Sequence, residues 1–512
     1  MRTAIAVFAA LSASLVFGFS PSSVSRSNVG TGPDPAHATS SGVRYAYAWG
    51  HSLAINADST PVFAPHVAFS GGIHRNVLFV LAGNNITDCD PNPANFVKAS
   101  TLYAFDAGTG QPLWHQSTSG PSRCTTSAPA VKGQWVYAPG LDGKVHKYAL
   151  ATGKEYLTGG WPIPYTLDPL REKESAALQI SGSYLYATTS SFGDFGHYEG
   201  HLTTINLTSG HINVWNSLCS NIHVLLSSNP QSKTYCQQSG SALFGRGEAV
   251  TDPISHDVYV VTGNGFWDGK TNWGDSVLKL TPDGSRLLDS FTPKNQAYLA
   301  AVDNDLGSTG LAMLPTVIMD GKQYHLAMQG GKGSAGETKS PKVVYLLNRD
   351  ELGGTPGPGH IGGELQTLDS PGKHHILSAP AVWRDPQGTV MAIYANDNDI
   401  QAYEVVTSGS VPQVKVKWDV HIATPSKRAY AGIHTPYPNF TTPVISGNEL
   451  YAAHDGEIDI YNPENGHELW SSTSVAPKGQ LSSNLHWEYP CVAIGMIFMT
   501  DESGHVYAYR KG

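Results

Sequence analysis

A short pattern recurs along the chain and constrains its fold more than any other feature. It combines alternating apolar residues with a Gly-containing turn. The clearest copies are Leu102–Gly110, Val145–Gly153, Leu202–Gly210 and Ile458–Gly466. Three looser copies are Ser276–Gly284, Val343–Gly353 and Ile400–Gly409. The chain ends inside an eighth copy, His505–Tyr509. Self-similarity of this kind predicts repeated supersecondary units that bury a continuous core by stacking on their neighbours.

Each copy predicts a pair of antiparallel strands. Alternating apolar positions indicate a strand, and the Thr-Gly or Asn-Gly pair supplies the positive φ of a tight hairpin turn. A Trp follows most of the clear copies, and on the returning strand it can pack between neighbouring sheets. Another strand pair precedes each copy, for example at Trp135–Ala138 and Val258–Val261. Four strands in each of eight units predict an all-β, eight-bladed β-propeller of four-stranded antiparallel blades.

The last unit lacks its outer strand, and we expect a segment near Val43–Trp49 to supply it and close the ring. The intervals between successive turn glycines are longest in the middle units, between Gly210 and Gly353. Extra length in a repeat lies in loops on one face, which is often the binding face, and this places the functional region at roughly 160 to 370.

The composition agrees with a propeller and excludes several other classes of protein. The 512 residues include 54 Gly and 33 Pro, too many turn residues for a long helical bundle. Hydrophobic residues make up 40% of the chain, enough for a core, so disorder is not expected. The formal net charge of −9 lacks the basic surplus that nucleic-acid binding requires, so no nucleic-acid partner is predicted.

The amino-terminal residues predict export. Met1 and Arg2 precede an apolar run that ends at Phe19, as is typical of a secretory signal peptide, with an uncleaved membrane anchor as the alternative. We divide the chain into a signal peptide (1–19), a flexible leader rich in small and polar residues (20–42) and one propeller domain (43–512). No later stretch is apolar enough to span a membrane. The mature protein is therefore predicted to be secreted or periplasmic, without an integral membrane span.

The five cysteines suit an exported chain. Cys89 and Cys124 flank one segment, and Cys219 and Cys236 flank another. We expect two local disulfides that pin these long loops. Cys491 lies in an apolar run and is expected to be a buried thiol outside any disulfide. No cysteine spacing indicates a zinc site.

The pattern Ala-x-Asp-x-x-Thr-Gly-x-x-x-Trp, as at Ala104–Trp114, resembles the repeat of pyrroloquinoline quinone (PQQ) propellers. This group includes quinoprotein alcohol dehydrogenases, polyvinyl alcohol dehydrogenase and the non-catalytic lipoprotein of the outer-membrane barrel-assembly machinery. The resemblance covers nearly the whole mature chain. It implies the fold more strongly than the chemistry, because members without a cofactor share the repeat.

In the dehydrogenases of this group, a calcium ion and the quinone lie in the central channel, and the resemblance implies such a site here. Asn264 matches the family's Thr-Gly-Asn segment and is the expected carbonyl ligand of Ca²⁺. Asp303 matches the position of the family's catalytic Asp, which accepts a proton. Asp305 matches the position of the residue beside that Asp. Both are also candidate metal ligands. The alternatives are an ordinary turn at Asn264 and a solvated loop at the two carboxylates.

Three further segments complete the implied site. Lys332 matches the segment whose Lys polarises the quinone carbonyls, although it is also explained as a surface loop tip. Asp194 falls near the family's Glu ligand and is shorter by one methylene group. The family's stacking Trp should fall near Arg246, and Phe244 and Arg246 are the expected cofactor contacts in its place.

Two functions remain open from the sequence. In the first, the protein is a PQQ- and Ca²⁺-dependent oxidoreductase acting on a small-molecule alcohol or sugar. Because the chain has no C-x-x-C-H haem site, it would need a separate electron acceptor. In the second, it is a cofactor-free module that binds a protein or glycan partner through its loop-rich face. Convergence of the site residues at the channel mouth supports the first function, and a spread over ~15 Å or more excludes it, because Ca²⁺ ligands lie within about 2.6 Å of the ion.

Overall fold

The structure is a computed structural model. It describes residues 42–84, 96–245, 249–332, 342–373, 375–396, 399–421, 440–454, 456–475, 481 and 488–512. These residues form eight antiparallel sheets in succession and one additional two-stranded hairpin. The prediction of an all-β, eight-bladed β-propeller with four-stranded blades is confirmed.

The first strand, β1 (Tyr45–Ser52), belongs to the last blade. We number the blades in chain order. Blade 1 contains β2 (Val62–Ala68), β3 (His74–Ala82), β4 (Ala99–Asp106) and β5 (Pro112–Ser119). Blade 2 contains β6 (Ala130–Lys132), β7 (Trp135–Pro139), β8 (Lys144–Ala149) and β9 (Ile163–Pro164). Blade 3 contains β10 (Glu172–Glu174), β11 (Gln179–Ser181), β12 (Tyr184–Ser191), β13 (His201–Asn206) and β14 (Ile212–Asn216), with both β10 and β11 paired to β12.

Blade 4 contains β15 (Val250–Thr251), β16 (Val258–Val261), β17 (Val277–Leu280) and β18 (Leu287–Phe291). The helix α1 (Gln296–Ala301) follows it. Blade 5 contains β19 (Ala312–Met313), β22 (Leu326–Gln329), β23 (Val344–Asn348) and β24 (Gln366–Leu368), and it carries the additional hairpin of β20 (Val317–Met319) and β21 (Lys322–Tyr324).

Blade 6 contains β25 (Ala381–Arg384), β26 (Val390–Ala395), β27 (Asp399–Val406) and β28 (Gln413–His421). Blade 7 contains β29 (Val444–Ser446), β30 (Glu449–His454), β31 (Glu457–Tyr461) and β32 (Glu468–Ser471). Blade 8 contains β33 (Cys491–Ala493), β34 (Met496–Asp501) and β35 (His505–Lys511), completed by β1. Short 3₁₀ turns occur at Ser70–Gly72, Leu306–Ser308, Pro371–Lys373 and Ser472–Ser474. Within the described residues, no helix is long and apolar enough to cross a lipid bilayer.

The amino-terminal strand closes the ring. β1 pairs antiparallel with β35, from Tyr45 opposite Lys511 to Ser52 opposite His505, which confirms the predicted closure. The first strands of neighbouring blades contact one another, including β33 with β2, β2 with β6, and β25 with β29. These inner strands therefore surround the propeller axis.

The hydrophobic core lies between neighbouring blades. Phe79 of blade 1 and Val136 of blade 2, for example, belong to one buried cluster. Each of these sheets therefore faces another sheet. Such stacking leaves fewer positions for charge and accounts for the low charged fraction of 14%.

A Trp–Gly contact connects some pairs of successive blades. The Nε1 of Trp114, on β5, donates to the carbonyl oxygen of Leu150 in blade 2 at 2.8 Å. A Cβ atom at Gly153 would lie 2.6 Å from the Trp114 ring. Trp49, on the closing strand, makes the same contact with Gly110 of blade 1. The predicted packing of this Trp between sheets is confirmed.

In five copies the turn glycine has the predicted positive φ. Their φ values lie between 66° and 74° at Gly110, Gly153, Gly210, Gly284 and Gly466. The prediction is wrong for Gly353 and Gly409 in the looser copies, which lie outside the left-handed region. Gly353 lies inside the long loop between β23 and β24, where Gly354 takes the positive φ instead.

The order of the strands places two kinds of loop on one face of the propeller. Because successive strands are antiparallel, the loop after each second strand and the connection to the next blade lie at the same end of the sheet. We call this end the connection face. The long connections between β14 and β15 and between β18 and β19 belong to it, so much of the extra length of the middle units is found here.

Cysteine pairing agrees with the sequence where the structure describes it. Cys219 and Cys236 form the predicted disulfide, in the connection between β14 and β15. Cys89, the predicted partner of Cys124, lies outside the described residues. Cys491 is a buried thiol, as predicted.

Candidate functional site

Three distant chain segments meet on the connection face of blades 4 and 5. Asn264 follows β16, after the pair Thr262 and Gly263. Asp303 and Asp305 lie in the connection between the two blades, directly after α1. Lys332 follows β22 of blade 5. All of these positions are loop positions at strand or helix ends, where functional side chains are commonly held by a rigid scaffold.

The side chains of these four residues form one cluster. Asn264 Nδ2 donates to Asp303 Oδ1 at 2.9 Å, and the Asn264 backbone N–H donates to Asp305 Oδ1 at 2.8 Å. Lys332 Nζ lies 2.6 Å from Asp305 Oδ2 and 3.4 Å from Asp303 Oδ2. The structure thus brings together four residues that the sequence singled out from separate segments.

The two carboxylates of the cluster differ in their exposure to solvent. Only 7% of the Asp305 side chain is exposed, whereas 71% of the Asp303 side chain is exposed. Burial raises the pKa of Asp305, although the charge of Lys332 and the Asn264 amide oppose this shift. Burial alone would lower the pKa of Lys332, but Asp305 and Asp303 outweigh it and raise that pKa. Lys332 is therefore held as a cation beside one buried and one open carboxylate.

Asp194 lies at the edge of the same cluster. It follows β12 of blade 3, and its Oδ1 accepts hydrogen bonds from Tyr198 Oη at 2.5 Å and Ser191 Oγ at 2.9 Å. Its charge contributes to the raised pKa of Lys332. Burial, Asp194 and Asp305 together raise the pKa of Tyr198. Tyr198 is a site residue that the repeat pattern did not indicate.

The predicted cofactor contacts are only partly described. Phe244 is half-buried and lies beside Gly263, where an added Cβ would be 3.4 Å from the Phe244 ring. The same Cβ would lie 2.5 Å from Asp305 Oδ1, so Gly263 allows Asp305 to approach the turn before Asn264. Arg246 lies outside the described residues.

One buried oxygen in the cluster has no hydrogen-bond partner. Asn264 Oδ1 is shielded from solvent, and nothing in the described part of the chain donates to it. Buried polar atoms are normally satisfied by protein, water or an ion. Asn264, Asp303 and Asp305 offer amide and carboxylate oxygens, the ligands that hard cations such as Ca²⁺ prefer. The donor set therefore fits the ion that the sequence resemblance implies.

Asp275 is a second residue that sequence reasoning missed. It is fully buried just before β17, and its Oδ1 accepts the Leu306 N–H at 3.1 Å. Its own N–H donates to the Gly263 carbonyl at 2.9 Å. Burial and the nearby charge of Asp305 raise the pKa of the Asp275 carboxyl well above its usual range. Asp275 thereby joins the Asn264 loop to the Asp305 loop.

Left-handed backbone conformations cluster at this site. Asp194, Asp275 and Asp303 have φ values of 60°, 49° and 58°. Aspartate adopts this region more readily than most residues because its short side chain can hydrogen-bond locally. Unusual backbone conformations of non-glycine residues concentrate at functional sites. The three positions thus agree with a functional role for this part of the connection face, although Asp320 shows that the conformation also occurs elsewhere.

Comparison with known proteins agrees with the PQQ-type repeat. A family model described as outer membrane protein assembly factor BamB matches residues 98–261. The solved quinohemoprotein alcohol dehydrogenase ADHIIG of Pseudomonas putida HK5 is similar, with a TM-score of 0.56, 13% identity and coverage of 91% of this chain and 76% of that chain. A europium-containing methanol dehydrogenase gives a TM-score of 0.55 at 14% identity, covering 91% of this chain and 93% of that chain. No curated protein matches the chain.

These comparisons confirm the resemblance to PQQ-type propeller repeats. At 13% and 14% identity, the two structural likenesses show the fold alone. The chain has a propeller fold similar to those of the two dehydrogenase structures, and its residues 98–261 match a BamB-like repeat model. A shared fold does not determine chemistry, which depends on the residues of the site.

Proposed function

We propose that the cluster of Asn264, Asp303, Asp305 and Lys332 is the active site of a PQQ- and Ca²⁺-dependent oxidoreductase that acts on alcohol groups. The observation that carries the proposal is Asn264 Oδ1, a buried oxygen with no donor among the described residues, placed beside two carboxylates. A hard cation would satisfy this oxygen and balance the acidic charge.

Each residue of the cluster would have its own role in binding the ion or the quinone. Asn264 Oδ1 and the two Asp carboxylates would hold Ca²⁺, with Asp194 at the edge. Lys332 Nζ is fixed by Asp305 and would donate to the quinone carbonyl oxygens, while Phe244 lies where it can flank the ring. When bound, the quinone supplies a two-electron acceptor for the hydride of the alcohol carbon.

Asp303 is the residue that we assign to proton transfer. Its exposed carboxylate is accessible to a substrate hydroxyl, whereas Asp305 is buried and paired with Lys332. As the carbon–hydrogen bond is cleaved, Asp303 would accept the hydroxyl proton, a role that contributes typically 10²–10⁴-fold to rate. Asn264 Nδ2 holds the Asp303 carboxylate in place.

We also propose that the protein works outside the cytoplasm and passes electrons to a separate acceptor. The signal-like amino terminus supports export, and so does the Cys219–Cys236 disulfide, because disulfides persist in oxidising compartments. The absence of a C-x-x-C-H motif from the sequence is the reason for a separate acceptor.

The proposal is tested by loading the protein with Ca²⁺ and PQQ, removing unbound quinone and measuring its absorbance. We expect one quinone per chain and dye reduction with some members of a panel of alcohols and sugars. Asn264→Ala should weaken Ca²⁺ binding at least tenfold, because it removes the unpartnered oxygen. Asp303→Asn should retain bound quinone and lower kcat by about 10²–10⁴-fold.

Asp320→Asn is the matched control for these variants. Asp320 is also an aspartate at left-handed φ, but it lies in the β20–β21 turn outside the site. It should leave loading and turnover unchanged. Absence of stoichiometric quinone, or a wild-type rate in Asp303→Asn, would reject the proposed oxidoreductase.

A second candidate function is a cofactor-free binding module. The match of residues 98–261 to a family model named for an assembly factor favours it. In this case the connection face would bind a protein or glycan partner. Two results together would support this function over the first. The protein would fail to bind quinone, and it would show saturable binding to a glycan array or to exported proteins used as probes.

A further inference from the structure

A short segment joins the two halves of the candidate site. We call Ser239–Ala242 the strap. It belongs to the connection between blades 3 and 4 and follows Cys236, which is bonded to Cys219. Asp194 lies on the blade 3 side of the strap, and Asn264 lies on the blade 4 side.

Toward blade 3, the strap holds the backbone of Tyr198. The Gly240 N–H donates to the Tyr198 carbonyl at 2.9 Å. Ser239 Oγ donates to the same carbonyl at 3.1 Å and accepts the Tyr198 N–H at 3.2 Å. Since Tyr198 Oη donates to Asp194, the strap fixes the residue that orients the Asp194 carboxylate.

Toward blade 4, the strap brackets Asn264. The Ser241 N–H donates to the Asn264 carbonyl at 2.6 Å, and the Gly263 N–H donates to the Ala242 carbonyl at 2.7 Å. A Cβ at Gly265 would lie 2.9 Å from Ser241 N. The backbone on both sides of Asn264 is therefore packed against the strap.

The disulfide is itself anchored to both blades. The Cys219 N–H donates to Asn272 Oδ1 at 3.2 Å, in the loop that also carries Asn264. His197 Nε2 donates to the Cys236 carbonyl at 2.9 Å, in the loop that carries Asp194. The covalent bond thus joins one segment fixed to blade 4 to another fixed to blade 3.

We propose that the Cys219–Cys236 disulfide and the strap together position the residues of the site. The affinity of the site for a hard cation then depends on the closed disulfide. The identity of the ligand rests on the function proposed above. Ca²⁺ ligands must lie about 2.3–2.6 Å from the ion, so loops from two blades need a fixed spacing to share one. Backbone hydrogen bonds to a covalently closed strap provide that spacing.

The test uses the full chain with Tb³⁺ alone as the probe, because lanthanide luminescence is sensitised by nearby aromatic side chains such as Tyr198. We expect the Tb³⁺ Kd to rise at least tenfold in C219A/C236A and about threefold in Ser239→Ala, which keeps the disulfide. Cys491→Ser, which removes a buried thiol elsewhere, is the control and should leave Kd unchanged.

Hydrogen exchange is the second readout and needs no ligand. Amides of Tyr198–Gly200 and of Gly263–Gly265 should both exchange faster in C219A/C236A, while strands of blades 6 and 7 keep wild-type protection. Unchanged Kd and unchanged exchange in folded C219A/C236A would overturn the proposal. If that variant does not fold, an unchanged Ser239→Ala overturns it instead. Faster exchange in both loops, with no Tb³⁺ binding by the wild type, would support the positioning role and reject the cation site.

Discussion

Arg349 and Asp252 show how single charged residues are stabilised away from the site. Arg349 follows β23 and is 2% exposed, and its Nη1 pairs with Asp252 Oδ2 in the turn between β15 and β16. Its Nε and Nη2 donate to the carbonyls of Leu326 and Leu314 at 3.2 and 3.3 Å. Unlike the Asn264 oxygen, these buried groups are satisfied within the protein. The pair therefore contributes to stability and leaves no group open for a ligand.

Arg349→Met should lower the free energy of unfolding by about 3 kcal/mol at pH 7, because the Asp252 charge stays buried without its partner. Burial alone would raise the pKa of Asp252, but the Ile254 amide and Arg349 hold it below its usual range. Its stabilising effect is thus complete above the unfolded pKa of about 3.9 and is lost as pH falls through the lower folded pKa. Urea unfolding from pH 7 to 3 should show the difference between wild type and variant shrink below about pH 4.

Arg384→Met is the control, since Arg384 is exposed and its Nη2 donates to the Thr316 carbonyl. It should change stability by no more than about 0.5 kcal/mol. A difference between wild type and Arg349→Met that stays constant down to pH 3 would show that the buried pair does not act through the Asp252 charge.

The residues of the site differ in how far the sequence indicates them. Asn264, Asp303 and Lys332 lie in short motifs that a family resemblance can match without knowledge of the fold. Asp275 and Tyr198 lie in no such motif, because their importance comes from contacts with loops far away in the chain. Asp275 accepts the Leu306 N–H from the connection to the next blade, and this contact exists only after the two loops have folded together.

Successive blades are joined by a contact between elements rather than by a single residue. At three junctions the outer strand of one blade places a Trp against the turn glycine of the next: Trp49 against Gly110, Trp114 against Gly153 and Trp418 against Gly466. The sequence predicts this element wherever the turn pair is intact. In two of the looser copies, the glycine of the pattern, Gly353 or Gly409, does not adopt the left-handed conformation, so the pattern alone does not determine these turns.

Gly153→Ala tests how much the close packing of Trp114 on Gly153 contributes to stability. Gly133→Ala is the control for the effect of backbone strain alone. Both glycines have positive φ, 67° and 60°, but an added Cβ meets the Trp114 ring at 2.6 Å only at Gly153. At Gly133 it meets nothing within 4 Å. We expect a loss of about 1 kcal/mol for Gly133→Ala from left-handed strain, and a further 1–3 kcal/mol, about the cost of overpacking, for Gly153→Ala. Equal losses in urea unfolding would contradict the contact as a source of stability.

At the scale of the whole molecule, the ring is closed by a strand from the opposite end of the chain. Tyr45 Oη lies 2.9 Å from Tyr451 Oη in blade 7, and Trp49 Nε1 donates to Ala107 in blade 1 at 3.0 Å. β1 therefore contacts blades 7, 8 and 1 together. The sequence predicts this closure by counting strands, because seven complete units and one incomplete unit leave an unpaired edge on β35.

A chain that begins at Leu53 should be much less stable than one that begins at Gly42. Loss of β1 exposes the edge of β35 and removes the buried Tyr45 and Trp49, each typically worth about 3–5 kcal/mol against Ala. We expect the melting temperature to fall by more than about 10 °C and the shorter chain to aggregate more readily.

Adding a peptide of residues 42–52 to the shorter chain should raise its melting temperature with increasing peptide concentration, because the peptide binds only the folded ring. The same peptide with Trp49→Ala and Tyr45→Ala should not, since it retains the backbone pairing but lacks the two inter-blade contacts. Rescue by both peptides would assign closure to strand pairing alone, and equal stability of the two chains would show that the other seven blades hold the ring without it.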